Sequence, residues 1–212
     1  MMLSAAKGQD VLSKEFVRKW AAQYDADFPA KYKEGEAQLK AWLQARFREG
    51  QPYLDKERFV EIARWKSQRP LRHYKSNDDD LVREVTALAF AARRDDLRLR
   101  LLTLLNGVGV PVASTILHFA FPDKYPIMDV RAVTTLTHLG LWTRRGPVQP
   151  GFTGFSVEDW QFYTHLMRDH AKELGVTLRE LDKALWAFDK WGAADGAKAS
   201  SLLEADGATD QW

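Results

Sequence analysis

Leu105-Asn106-Gly107-Val108-Gly109-Val110-Pro111-Val112-Ala113 is the stretch on which the reading of this chain turns. Upstream, Asp95 or Asp96 is placed to cap a short helix through Leu99 and Leu102 to Leu105. Downstream, Val112 to Phe121 restores the same helical spacing of apolar residues. The intervening Asn106-Gly107-Val108-Gly109 breaks it, so the pattern is helix, tight turn, helix. Two glycines at i and i+2 permit positive φ and leave backbone amides uncovered at a helix start, where they can hold an anion.

Outward from this hairpin the spacing stays helical. Phe16, Val17, Trp20, Ala21 and Tyr24 make one amphipathic face, and Leu39, Trp42, Leu43 and Phe47 make a second that stops at Gly50. A third helix starts from a cap at Asp55, carries Phe59, Ile62 and Ala63, and must end before Pro70. A fourth follows Asn77, with Leu81, Val82, Val85, Leu88, Ala89 and Ala92 expected on its buried side. The loop Phe121 to Met128, with Pro122 and Pro126, leads to Asp129 at the first turn of a helix carrying Val130, Val133, Leu136 and Leu139. Residues 143–155 hold five Gly or Pro and read as a loop. Helices follow Ser156 and Thr177, the latter with Glu180 three residues on as a capping box. No strand alternation or internal repeat survives counting, and the fold class is all-α. Residues 1–192 are expected to form a single helical domain, and the Gly-, Ala- and Asp-rich 193–212 a flexible tail.

Composition narrows the function. The 212 residues hold 45% hydrophobic side chains, which suits a globular core, and no cysteine. That excludes a disulfide framework, a Cys-ligated iron–sulfur cluster or zinc site, and a thiol nucleophile. His165 and His170 are five apart rather than four, so no metal site is expected. No signal-peptide pattern and no run of about 18 apolar residues occurs. The expectation is a soluble, unexported, monomeric protein of the cytoplasm, nucleoid-associated in a prokaryote, with no membrane partner. A net charge of +2 does not by itself announce nucleic-acid binding. A local patch is the candidate: residues 64–75 carry Arg64, Lys66, Arg69, Arg72 and Lys75 with no acidic residue, a stretch that reads equally as a track for a phosphate backbone or as a solvated helix end and loop. Arg144 and Arg145 are a second candidate contact, and Trp65, Trp142 and Trp160 are candidates to line a base pocket, whereas Trp20, Trp42 and Trp186 read as core.

The run Leu105-Asn106-Gly107-Val108-Gly109, then Ala113 in a small-residue helix, then Pro126-Ile127-Met128-Asp129, resembles the helix-hairpin-helix DNA glycosylases with a Gly/Pro-rich loop and aspartate, the endonuclease-III-like and MutY-like repair enzymes. The resemblance covers about residues 95–140. It implies a two-lobed helical fold with the active site in the cleft between the lobes, double-stranded DNA carrying a damaged or mismatched base as partner, and Asp129 as catalytic carboxylate. It implies that Asn106, Gly107, Val108 and Gly109 hold a backbone phosphate, with a monovalent cation as a further candidate ligand of the hairpin. It also implies that a helix end near Lys66, Ser67, Gln68 or Arg69 fills the gap left by a flipped base, with Arg72 as a further DNA contact. The family's four-cysteine iron–sulfur loop is absent. Bifunctional members carry a Schiff-base lysine where this chain has Pro111, so a monofunctional glycosylase without lyase activity is expected, Lys124 being the nearest replacement amine. The competing readings are a non-catalytic DNA clamp in which Asp129 only caps its helix, and a generic helical interaction protein.

Overall fold

A computed structural model describes residues 12–192, and among them all regular structure is helical. Ten α-helices run in order: α1 Lys14–Asp27, α2 Ala30–Arg48, α3 Lys56–Lys66, α4 Leu71–Lys75, α5 Asp79–Ala91, α6 Asp95–Leu102, α7 Val110–Ala120, α8 Val130–His138, α9 Val157–Leu174 and α10 Leu178–Ala187. A single π-helical turn, Phe188–Gly192, follows α10. The expected tail 193–212 lies outside the described residues.

The caps explain most boundaries. Asp55 accepts from the Arg58 amide at the start of α3, and Ser156 and Thr177 form reciprocal capping boxes with Asp159 and Glu180 at the starts of α9 and α10. The hairpin is α6, the turn 103–109, and α7, with Gly109 as N-cap and Pro111 in the first turn, where a missing amide costs nothing. Neither Asp95 nor Asp96 caps α6. Its N-cap is Arg94, and Asp95 instead accepts from the Tyr125 hydroxyl at 2.7 Å. The cap of α5 is Asp78, and beyond Pro70 the chain makes the short helix α4, which apolar spacing could not reveal in five residues.

One apolar cluster draws on all ten helices, with α1 packed chiefly on α10, α3 on α7, and α5 on α6. Two leucines expected inside are not there: Leu81 is 41% exposed and Leu88 52%. The buried stripe of α5 is Val82, Val85, Thr86 and Ala89, and residues 81 and 88 sit about 100° to one side of it.

Candidate active site

Asp129 is the N-cap of α8, its Oδ1 accepting from the Arg131 amide at 2.9 Å. Its Oδ2 accepts from the Lys66 ammonium at the end of α3, with both side chains mostly covered, 19% and 10% exposed. Together they stand in a small recess open to solvent. Tyr24 and Phe28 line it from α1 and its C-cap, Trp65 and Lys66 from α3, Ile127 and Asp129 from the loop before α8, and Arg179, Asp182 and Trp186 from α10. Although burial works against ionisation, Lys66 and the Arg131 amide hold the Asp129 carboxyl below its ordinary range.

The loop that presents Asp129 is pinned at several points. Ser114, on the first turns of α7, donates to the Pro111 carbonyl at 2.8 Å and accepts from the Met128 amide at 2.9 Å, which ties the hairpin helix to the residue before the aspartate. The Tyr163 hydroxyl donates to the Ile127 carbonyl at 3.0 Å. His118 holds the Tyr125 carbonyl at 2.7 Å with Nδ1 and faces the Lys40 ammonium at 2.8 Å with Nε2. A carbonyl only accepts and an ammonium only donates, so His118 is neutral with its proton on Nδ1. Burial and the nearby Lys40 and Arg179 cations agree, pushing its pKa down to about 3.

The hairpin is tied to the basic stretch. Gly107 has φ +84°, and a Cβ there would lie 2.9 Å from His73 Cβ and 3.0 Å from the Tyr74 ring. Only glycine meets both demands. Asn77, almost fully buried, accepts from the Asn106 amide at 2.7 Å and donates to the Asn106 carbonyl at 3.1 Å and to the His73 and Tyr74 carbonyls at 3.0 Å each. Gly109 differs: its φ is −91° and an added Cβ would meet only Pro111 Cδ, at 3.9 Å. The Gly109, Val110 and Val112 amides make no hydrogen bond to another described residue, leaving the helix start open to an anion.

Residues 64–77 therefore run from the Asp129 recess, at Lys66, to the hairpin, at His73 and Asn77. Along the way Arg64, Arg69, Arg72 and Lys75 are exposed and form no ion pair among the described residues.

Several expected roles are relocated. Lys66 points into the recess against Asp129, so it does not project as a plug. Ser67 ends α3, its amide bonded to the Ala63 carbonyl, and the exposed Gln68 donates to the Tyr32 hydroxyl at 3.2 Å. Arg69 remains exposed. Trp65 does line the recess, its indole N–H donating to the Tyr32 carbonyl at 2.9 Å. Trp142 does not: it is buried among Phe155, Phe162 and Tyr163, and Trp160 is fully buried. Trp186, read as core, is buried and also forms part of the recess wall. Lys124 is turned away from Asp129 onto Asp95 at 3.0 Å, so the amine at the aspartate is Lys66. Arg144 pairs with Asp159 and Arg145 donates to the Pro150 carbonyl, both shaping their own loop. Among the described residues no cluster of His, Cys, Asp and Glu suits a metal, and no helix is long and apolar enough to cross a membrane.

The residues that sequence reasoning missed are Asn77, Ser114, Arg179 and Asp182. Asn77 stands just before the Asp78 cap and read only as a helix boundary. The α10 pair Arg179 and Asp182 had no motif to mark it. Comparison of the chain with protein-family models, with curated proteins and with solved structures finds no match.

Proposed function

We propose that this chain is a monofunctional DNA base-excision glycosylase that hydrolyses the N-glycosidic bond of a damaged or mismatched base flipped out of duplex DNA. The observation that carries the reading is the construction around Asp129. An ionised carboxylate stands in an aromatic-walled recess, fixed through Ser114 to a helix whose first amides, from Gly109, have no partner among the described residues, with an exposed basic segment running from one to the other.

Each part has a task in that chemistry. The open amides and exposed arginines take backbone phosphates, and the recess takes the extruded nucleotide at a cost of a few kcal/mol for unstacking. As the C1′–N bond breaks, its electron pair leaves with the base and positive charge builds on the deoxyribose, which the Asp129 carboxylate stabilises. Water oxygen then bonds C1′. One water proton is accepted by Asp129 and passes to the departing base, so the products are an abasic site and the free base. Lys66 keeps Asp129 ionised until DNA arrives. We place the active cleft between two helical lobes, with the enzyme acting as a monomer on cytoplasmic DNA.

The test is a panel of duplexes carrying alkylated, oxidised, deaminated or mismatched bases, read as strand breakage with and without alkali. Alkali-dependent breakage on at least one duplex is the expected result. Breakage without alkali would give the chain a lyase step and assign the amine to Lys66 rather than Lys124. DNA binding with no abasic sites on any duplex would favour the other reading, a non-catalytic clamp whose Asp129 serves only as the cap seen in its contact with the Arg131 amide.

A further inference from the structure

The recess holds a second carboxylate for which neither the hairpin nor the Asp129 chemistry has a use. Asp182 is 3% exposed, lines the recess, and engages one oxygen with Arg179 one turn earlier on α10. Its other oxygen has no hydrogen-bond partner among the described residues. Arg179 does not neutralise it outright, because the guanidinium is already committed to Glu36 through two bonds of 2.9 and 2.6 Å and to the Tyr24 hydroxyl at 3.2 Å. That oxygen borders the recess rather than being sealed away from it, so a ligand entering there can supply the missing donor.

Resting on the glycosylase reading, we propose that Asp182 is the residue that selects the base, and that it selects bases carrying an amino group beside a ring nitrogen. The neighbours suit a planar ring: Tyr24, Phe28, Trp65 and Trp186 wall the space around the carboxylate. The edge chemistry then discriminates. A guanine-type edge offers two parallel N–H donors to a carboxylate. A cytosine- or adenine-type edge offers one N–H and a ring nitrogen that shares a proton with the carboxyl group. A uracil- or thymine-type edge offers a single N–H flanked by carbonyl oxygens, which repel the carboxylate. The Arg179 guanidinium lies 5.2 Å from the Tyr24 ring centre and 5.6 Å from that of Trp65, so the walls already accommodate positive charge of the kind a protonated or alkylated base brings.

Asp182→Asn keeps the shape and an oxygen for Arg179 while turning half of the acceptor into a donor. On duplexes that differ only in the edited edge, cytosine-derived against uracil-derived and guanine- against hypoxanthine-containing, wild-type protein is expected to favour the amino-bearing base by about 10- to 100-fold. Asp182→Asn is expected to lose most of that ratio while staying folded, with a melting temperature no lower than that of the wild type. A second readout does not need excision: quenching of tryptophan fluorescence by free cytosine should exceed that by free uracil in the wild type and fall to the uracil level in the variant. A wild-type preference for uracil-type bases, or an Asp182→Asn variant with the same base ratio as wild type, overturns the proposal. If no duplex is cut, the glycosylase reading fails by itself. The quenching series still decides Asp182, and equal quenching by cytosine and uracil overturns it.

Discussion

Two carboxylates face the same recess and their surroundings push them in opposite directions. Asp129 is met on both oxygens, by the Lys66 ammonium and the Arg131 amide, and is held in its ionised form. Asp182 is buried more deeply and shares Arg179 with Glu36, so burial, helped by the nearby Asp129 charge, outweighs Arg179 and Lys66 and raises it to about 6. Paired acids pulled apart in this way mark a division of labour. The one at the pinned loop is suited to charge stabilisation, and the one on α10 to hydrogen bonding a base edge in either protonation state.

The strongest way to probe this contrast is the pH dependence of folding. His118 is neutral in the fold, with its pKa lowered from 6.5 to about 3, so the unfolded chain takes up its proton first as pH falls. The stability it contributes is fully present above pH 6.5 and is lost toward pH 3, a change of about 4–5 kcal/mol. Glu36, lowered to about 2 by Arg179 and Lys40 against the effect of burial, adds a loss below pH 4.5. Asp182 works in the other direction: raised from 3.8 to about 6, it makes the fold less stable as pH climbs through that window, by about 3 kcal/mol. Urea melts across pH 3–8 should therefore show stability rising with pH in the wild type. The rise should steepen in Asp182→Asn and flatten in His118→Gln, and parallel profiles for all three proteins would break the contrast.

A smaller effect separates the two hairpin glycines. Gly107→Ala must adopt a left-handed backbone and push into His73 and Tyr74, so a loss of about 1–3 kcal/mol is expected in thermal melts. Gly109→Ala should leave the melt within about 0.5 kcal/mol, because its φ is ordinary and the nearest atom is 3.9 Å away. Its cost should appear instead as weaker DNA binding, since the methyl group adjoins the open amides of α7. Equal melts for the two variants would contradict the role given to Gly107.

The sequence made legible what is local. The hairpin glycines, the stiff loop and Asp129 lie within 25 residues, so their order and spacing could be read, although Asn77, His73 and Tyr163 hold them in place from elsewhere in the chain. The same holds for the caps at Asp55, Ser156 and Thr177, where the bonding partner is three residues away. What could not be read is what the fold brings together. Lys66 meets Asp129 across 63 positions, and Arg179 meets Glu36 across 143. Tryptophan gave the least guidance, because its apolar ring serves a core and a recess equally well. Trp142 and Trp160 went to the core, and Trp186 lies at the boundary between the two.

The central claim, that Asp129 acts on the sugar and does more than begin a helix, is tested most directly by single-turnover base excision with Asp129→Asn, measured beside DNA affinity and thermal stability. Asparagine caps a helix about as well as aspartate, so folding and binding should hold while excision falls by about 100-fold or more. Excision at the wild-type rate in a folded, DNA-binding variant would contradict the account.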